Sequence, residues 1–178
     1  MAKWAIDGDH SIAAFSIRYL LMANVRGLIS GLSGTVLFDP PDISSLSVQA
    51  EMDVSTIKTG IAKRDEHMLG PDFFDASKYP KITFKSTKAE PLGGSRFRIA
   101  GELNLHGVAR AVAIEGEYTG PVKLPESIGG ETSLGFTGRV VIDREDFGMT
   151  WGSQPMDGGL MASKEVSITL DVETDRME

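Results

Sequence analysis

The sequence predicts an all-β protein in which eight antiparallel strands close into an up-and-down barrel, with one short helical segment near residues 61–70. Three observations point there. Apolar and polar residues alternate with period two through most of the chain, the pattern of antiparallel strands with one buried and one wet face. Short turn signals separate the alternating runs. One stretch alone replaces the alternation with helical spacing.

Taken in order, "GLSGTVLFDPPD" ends a strand at Asp39-Pro40-Pro41. "SLSVQAEMDV" sets Val48, Ala50, Met52 and Val54 against Ser47, Gln49, Glu51 and Asp53. In "IAKRDEHMLG", Ile61, Arg64, Asp65 and Met68 follow a helical period that Gly70-Pro71 stops. "ITFKSTKAE" resumes the alternation with Phe84 facing inward. "PLGGSR" at 91–96 joins it as a hairpin to "RFRIAGELNLHG", where Phe97, Ile99, Gly101, Leu103 and Leu105 share a face. "HGVAR" at 106–110 makes the next hairpin, and "TGPVKLPESIGGE" at 119–131 reads as a longer loop. "SLGFTGRVVID" and "EVSITLDVET" supply the last strands, with Phe136, Val166, Ile168, Leu170 and Val172 inward. Such strands fit a sandwich or a barrel. The short links favour a meander, and closure removes exposed edges. Glycines inside the runs, at 31, 34, 101, 116 and 138, fit either wall curvature or a hollow interior.

A length of 178 residues favours one domain, 1–178. A net charge of -7 argues against nucleic acid and against electrostatic docking on anionic membranes. The absence of cysteine excludes disulfides, thiol nucleophiles and thiolate metal sites. The first residues lack a cleavable leader pattern, and no apolar run approaches the ~20 residues of a membrane span. The expectation is a cytoplasmic protein without a membrane-spanning segment.

His10, His67 and His106 lie in different elements without ligand spacing, so no metal site is expected. "GLSG" and "WGSQP" lack the strand–turn–helix setting of a nucleophile elbow, and "LGGS" and "IGGE" open no helix that would cradle phosphate. The densest chemistry is "AKRDEHMLGPDFFD". Arg64 and His67 share a helix face at i,i+3, while Asp65 serves as a cap or a partner for Arg64. The block reads either as a solvated helix or as a polar rim over an apolar opening. Phe73 and Phe74, being adjacent, face opposite ways if extended.

At these residues the chain resembles the YceI-like, polyisoprenoid-binding family. The resemblance is carried by "WAIDGDHSIAAFSIRY", "VRGLISGLSGTVLFDP", "STIKTGIAKRDEHMLGPDFFDASKYPKITFKST", "GELNLHGVARAV" and "DREDFGM", in this order. It implies a lipocalin-like eight-stranded barrel that holds a long isoprenoid, a polyprenyl phosphate or quinone-type lipid, with homodimers common. No other cofactor is implied. Arg64, Asp65, His67, Phe73, Phe74, Tyr79, Pro80 and Phe84 fall on the family's helix block; His10 and Ser11 match its "HS", and Phe147-Gly148-Met149 its "FGM". Tyr19 stands where members often carry His, and Ile29 and Ser30 where they often carry a bulky aromatic.

The resulting expectation is a non-enzymatic carrier or sequestering protein. Its lining, by alternation, is Ile17, Tyr19, Val36, Phe38, Met52, Phe84, Phe97, Leu103, Ile114, Phe136 and Ile168, joined by Phe73 and Phe74. Arg64 and His67 are head-group candidates. One alternative is a barrel enzyme acting on a small apolar substrate with His67 and Asp65 as an acid–base pair. Another is a solid-core interaction protein.

Overall fold

The computed structural model describes residues 1–156 and 159–178, with side chains described outside 155–160. The strands are β1 (Lys3–Tyr19), β2 (Ala23–Ile29), β3 (Ser33–Asp39), β4 (Asp42–Asp53), β5 (Lys81–Gly93), β6 (Arg96–Leu105), β7 (Val108–Lys123), β8 (Thr132–Asp143), the short paired strands β9 (Pro155–Met156) and β10 (Gly159–Leu160), and β11 (Ala162–Arg176). Among the described residues one α-helix, α1 (Ala62–Leu69), stands between β4 and β5. All strand pairs are antiparallel.

Eight strands form the ring, in the order β1-β3-β4-β5-β6-β7-β8-β11 and back to β1. The long β1 makes this possible. One of its edges pairs with β11 from Trp4 to Tyr19. The other is divided: Lys3–Ala5 pair with β3, and Ala13–Tyr19 pair with β2. Among the described residues, the outer edge of β2 meets the rest of the barrel through one bridge, Leu28 to Lys58. The barrel is therefore closed at the β3 end. At the β2 end it is left open, and there the segment carrying α1 lies against it.

Ser11 explains how β1 passes its irregularity between Asp7 and Ile12. Its buried hydroxyl accepts from the Glu173 N–H at 3.0 Å and donates to the Glu173 carbonyl at 3.3 Å, replacing ladder bonds lost at the bulge. The β1–β2 turn is less ordinary. Leu20 and Leu21 adopt φ of 51° and 56°, and the Met22 N–H closes the turn on the Tyr19 carbonyl at 3.1 Å. Positive φ at both central positions is the requirement of a type I′ hairpin, usually met by Asn-Gly. A left-handed leucine costs ~1–2 kcal/mol.

The closed end is filled around Trp4 and Phe38. Trp4, Val36, Phe38, Ile43, Leu46, Phe97, Ile99 and Leu134 form one buried cluster, and the Trp4 indole N–H donates to the Phe38 carbonyl at 3.0 Å. A second cluster, including Ile29, Val54, Ile57, Ile82, Leu105, Ile142 and Phe147, surrounds the other half. Two readings need correction. The anticipated loop at 119–131 is strand as far as Lys123, because Pro121 falls at a register break between Thr119 and Val122 where no ladder N–H is required. The strand glycines are neither empty space nor curvature alone. Aromatic rings lie over several of them: a Cβ at Gly27 would stand 2.3 Å from the Phe15 ring, one at Gly101 2.5 Å from that of Phe84, and one at Gly116 2.9 Å from that of Phe97.

Gly116 is the tightest of these three, since its Cβ would also stand 2.1 Å from the Thr137 carbonyl oxygen. Gly116→Ala is expected to destabilise the barrel by about 1–3 kcal/mol, as overpacking does. Urea unfolding of the variant beside the parent checks this.

Candidate functional site

Among the described residues, two apolar chambers stand out inside the ring. The larger, about 560 Å³, sits under α1 at the β2 end. The smaller, about 140 Å³, lies toward the closed end. Met52, Ile82, Leu103 and Ile168 border both and form a neck between them. Period two produces this lining directly, since alternate residues of every strand point inward. Phe15, Ile17 and Tyr19 of β1, for example, all border the larger chamber.

Most of the anticipated lining residues fall on these walls. Ile17, Tyr19, Arg64, His67, Phe73 and Phe74 border the larger chamber; Val36, Phe84, Phe97, Ile114 and Phe136 the smaller; Met52, Leu103 and Ile168 both. Phe38 borders neither. It is fully buried in the filled end, its ring 4.9 Å from that of Tyr118, because β3 reaches past the chamber into the closed end. Phe73 and Phe74 both border the larger chamber rather than facing opposite ways. Their backbone is a turn, not a strand: Phe73 N–H donates to the Gly70 carbonyl and Phe74 N–H to that of Met68, both near 3 Å.

The polar block of α1 is committed locally. Asp65 accepts from the Thr59 N–H at 2.8 Å and from its hydroxyl at 2.5 Å. Arg64 donates from Nε to the Thr59 hydroxyl at 2.8 Å and from Nη2 to the Thr59 carbonyl at 2.7 Å. Thr59 thus clips the start of a helix that has no side-chain cap and no buried residue of its own. His67 bonds Asp72 at 2.8 Å, and its ring meets those of Phe73 and Trp151 edge-on at 5.2 and 5.1 Å. The acid–base pairing of His67 with Asp65 is not formed. Two positions apart on a helix, they point to different sides and take different partners.

The charged residues bordering the larger chamber are Lys63, Arg64 and Arg144, beside His67, and no carboxylate borders it among the described residues. Arg144 is 2% exposed. Its guanidinium donates to the carbonyls of Ser163, Met149 and Ala162 and to the Ser153 hydroxyl, at 2.7–3.1 Å. Burial pushes its pKa down, while nearby Glu145 and Asp143 oppose the fall. Sequence reasoning missed Arg144 and Trp151, which reach the chamber from a 3-10 turn of helix after β8 and the loop beyond it, where there is no periodicity. It also missed Phe15, although Phe15 alternates in phase with Ile17.

A grouping with metal-ligand chemistry lies apart from the chambers. Ligand atoms of Asp7, His10 and Glu173 all lie within 4.8 Å of one another. Histidine spacing did not reveal it because Glu173 arrives from β11. The His10 imidazole is taken up by Asp7 at 2.6 Å, which raises the His10 pKa and lowers that of Asp7.

Comparison with known proteins gives a consistent result. The model of the YceI-like domain matches residues 4–174. A UPF0312 protein of Vibrio cholerae is 33% identical over 150 residues, covering 83% of this chain and 78% of that protein. Among solved structures, a Campylobacter jejuni YCEI protein superposes with a TM-score of 0.76 at 26% identity, over 90% of both chains. A polyisoprenoid binding domain from Saccharophagus degradans shares the fold, with a TM-score of 0.72 at 15% identity over 98% of both chains.

Hydrogen bonds from Thr59 hold the Asp65 carboxyl below the usual carboxylate range. A depressed folded-state pKa contributes stability above the unfolded value of ~4, and that contribution is lost as pH falls through the folded value. The clip is therefore complete at neutral pH and released in acid. Thr59→Val is expected to destabilise the helix, with faster amide exchange confined to α1 at pH 7. The parent should show the same local loosening only below ~pH 4. Hydrogen exchange across pH reads both.

Proposed function

The chain belongs to the YceI-like family, and from that premise and the form of its interior we propose that it binds an isoprenoid lipid whose tail runs from the larger chamber through the neck into the smaller one. The observation that carries this reading is the pair of apolar chambers meeting at Met52, Ile82, Leu103 and Ile168. A volume of about 560 Å³ for the larger falls within the ~300–1,000 Å³ of small-molecule pockets. A branched, unsaturated chain gains ~0.8 kcal/mol for each CH₂ taken out of water, so a wall with few polar groups suits it. Methionine at the neck favours passage, because its unbranched side chain repacks readily. The polyisoprenoid-binding neighbour supports the same ligand class.

The charges at the open end support an anionic head group, such as a phosphate, over a neutral quinone. Lys63, Arg64 and Arg144 border the larger chamber without an opposing carboxylate among the described residues. An anion held there is favoured most by the buried Arg144 and less by the exposed, better screened Lys63. In this reading the protein carries or sequesters the lipid and does not transform it. His67 and Asp65 hold the cover in place through Asp72 and Thr59.

Native mass spectrometry of gently purified protein, with organic extraction of the same sample, tests the ligand class. A discrete added mass that extracts as a prenyl lipid is expected. An apo mass that stays unchanged on adding octaprenyl phosphate would overturn the reading. Leu103→Trp places an indole in the neck. Excluding even two CH₂ groups from the smaller chamber removes ~1.6 kcal/mol, so octaprenyl phosphate should bind at least about tenfold more weakly while circular dichroism stays that of the parent. Lys63→Gln should weaken octaprenyl phosphate by about two- to fivefold and leave the neutral alcohol unaffected, as expected for an exposed ion pair. Equal losses for both ligands would remove Lys63 from the head-group site.

A further inference from the structure

The β1–β2 turn presents apolar side chains where a soluble hairpin would present polar ones. Leu21 is 54% exposed and Met22 76%. Ile61, 53% exposed, stands at the start of α1. Tyr19, which leads into the turn, and Ile61 both border the larger chamber, so the turn and the helix start flank the same opening. The turn also uses leucine against its conformational preference, with φ of 51° and 56° at Leu20 and Leu21. Asn-Gly would relieve the strain and the exposure together. Strain that coincides with exposed apolar surface beside a cavity mouth points to a use for that surface.

Charge gives a second, independent observation. From Ser11 to Phe38 the chain carries no carboxylate, though the whole protein has 25. Arg18 and Arg26 lie in that stretch, and Lys58 and Lys63 flank Ile61. None of these four forms an ion pair among the described residues. The Arg18 guanidinium donates to the Leu21 carbonyl from Nε at 3.2 Å and from Nη2 at 2.8 Å, fixing a positive charge at the base of the turn.

We infer that the β1–β2 turn and the start of α1 dock the protein on an anionic lipid bilayer, with the larger chamber opening onto the membrane. Leu21, Met22 and Ile61 enter the acyl boundary, and Arg18, Arg26, Lys58 and Lys63 meet the head groups. A lipid then moves between bilayer and barrel without exposing its tail to water. A second copy of the chain is the weaker occupant. A stable dimer needs roughly 800 Å² per partner, more than a turn tip and one isoleucine supply. The inference rests on the lipid-binding reading, and the test separates the two.

The experiment is flotation with vesicles of phosphatidylcholine and phosphatidylglycerol, comparing the parent with Leu20→Asn/Leu21→Gly and with Met22→Ser. Uptake of the apolar fluorophore N-phenyl-1-naphthylamine is measured alongside, together with thermal unfolding and sedimentation velocity. The parent should float, and less so at high salt. The Asn-Gly variant should partition at least about tenfold less, since it removes the exposed Leu21 together with the half-buried Leu20. It should still take up the fluorophore and unfold at the same or a higher temperature. Failure of the parent to float overturns the inference, as does flotation of the Asn-Gly variant equal to the parent's. A parent dimer that the variant loses, without vesicle binding, assigns the surface to a second copy and overturns it as well. Flotation that depends on the turn while neither protein takes up the fluorophore keeps the docking surface and overturns the cavity reading instead.

Discussion

A sheet edge left unpaired must be closed, covered or put to use, and this barrel meets that constraint through β1. Its 17 residues pair with β11 along one edge, while the other edge is shared between β3 and β2. Where β3 takes it, the ring closes and fills with Trp4 and Phe38. Where β2 takes it, the wall parts, held by the bridge from Leu28 to Lys58. The filled end, the chambers and the opening all follow from that division. So does the position of α1, a helix without a buried residue that Thr59 fastens over the gap.

Much of this was legible in the sequence, for a definable reason. Strand alternation is a local property, so Phe97, Ile99, Leu103 and Leu105 revealed their inward face without any knowledge of their neighbours. The Gly70 stop likewise marked the end of α1. What alternation does not contain is depth along the barrel axis. Val36 and Phe38 share a face of β3, yet one borders a chamber and the other lies in solid core. Contacts between distant segments were equally invisible. Arg144 and Trp151 reach the chamber from the irregular segment after β8, and Glu173 approaches His10 only because β11 pairs with β1.

Net charge was a poor guide to the open end for the same reason that composition is a poor guide to any site: it averages. The chain is acidic overall, with a net charge of -7, while the residues bordering the larger chamber carry Lys63, Arg64 and Arg144 and no carboxylate among those described. The chamber wall keeps water and counter-ions away from Arg144, which is buried, more than from exposed Lys63. The residues that border the chamber are thus cationic although the whole-protein sum is negative.

The pairing of β1 with β11 has a consequence for how the chain reaches this state. Trp4 lies opposite Arg176, so the seam joins segments more than a hundred residues apart. During synthesis β3 to β8 can assemble as a meander from neighbours in sequence, but the ring stays an open sheet until β11 has left the ribosome. Until then the apolar face that becomes the chambers is exposed, with two raw edges beside it. Folding dominated by such distant contacts is slow, on the order of milliseconds to seconds. The nascent protein thus spends its most aggregation-prone interval waiting for its own last strand.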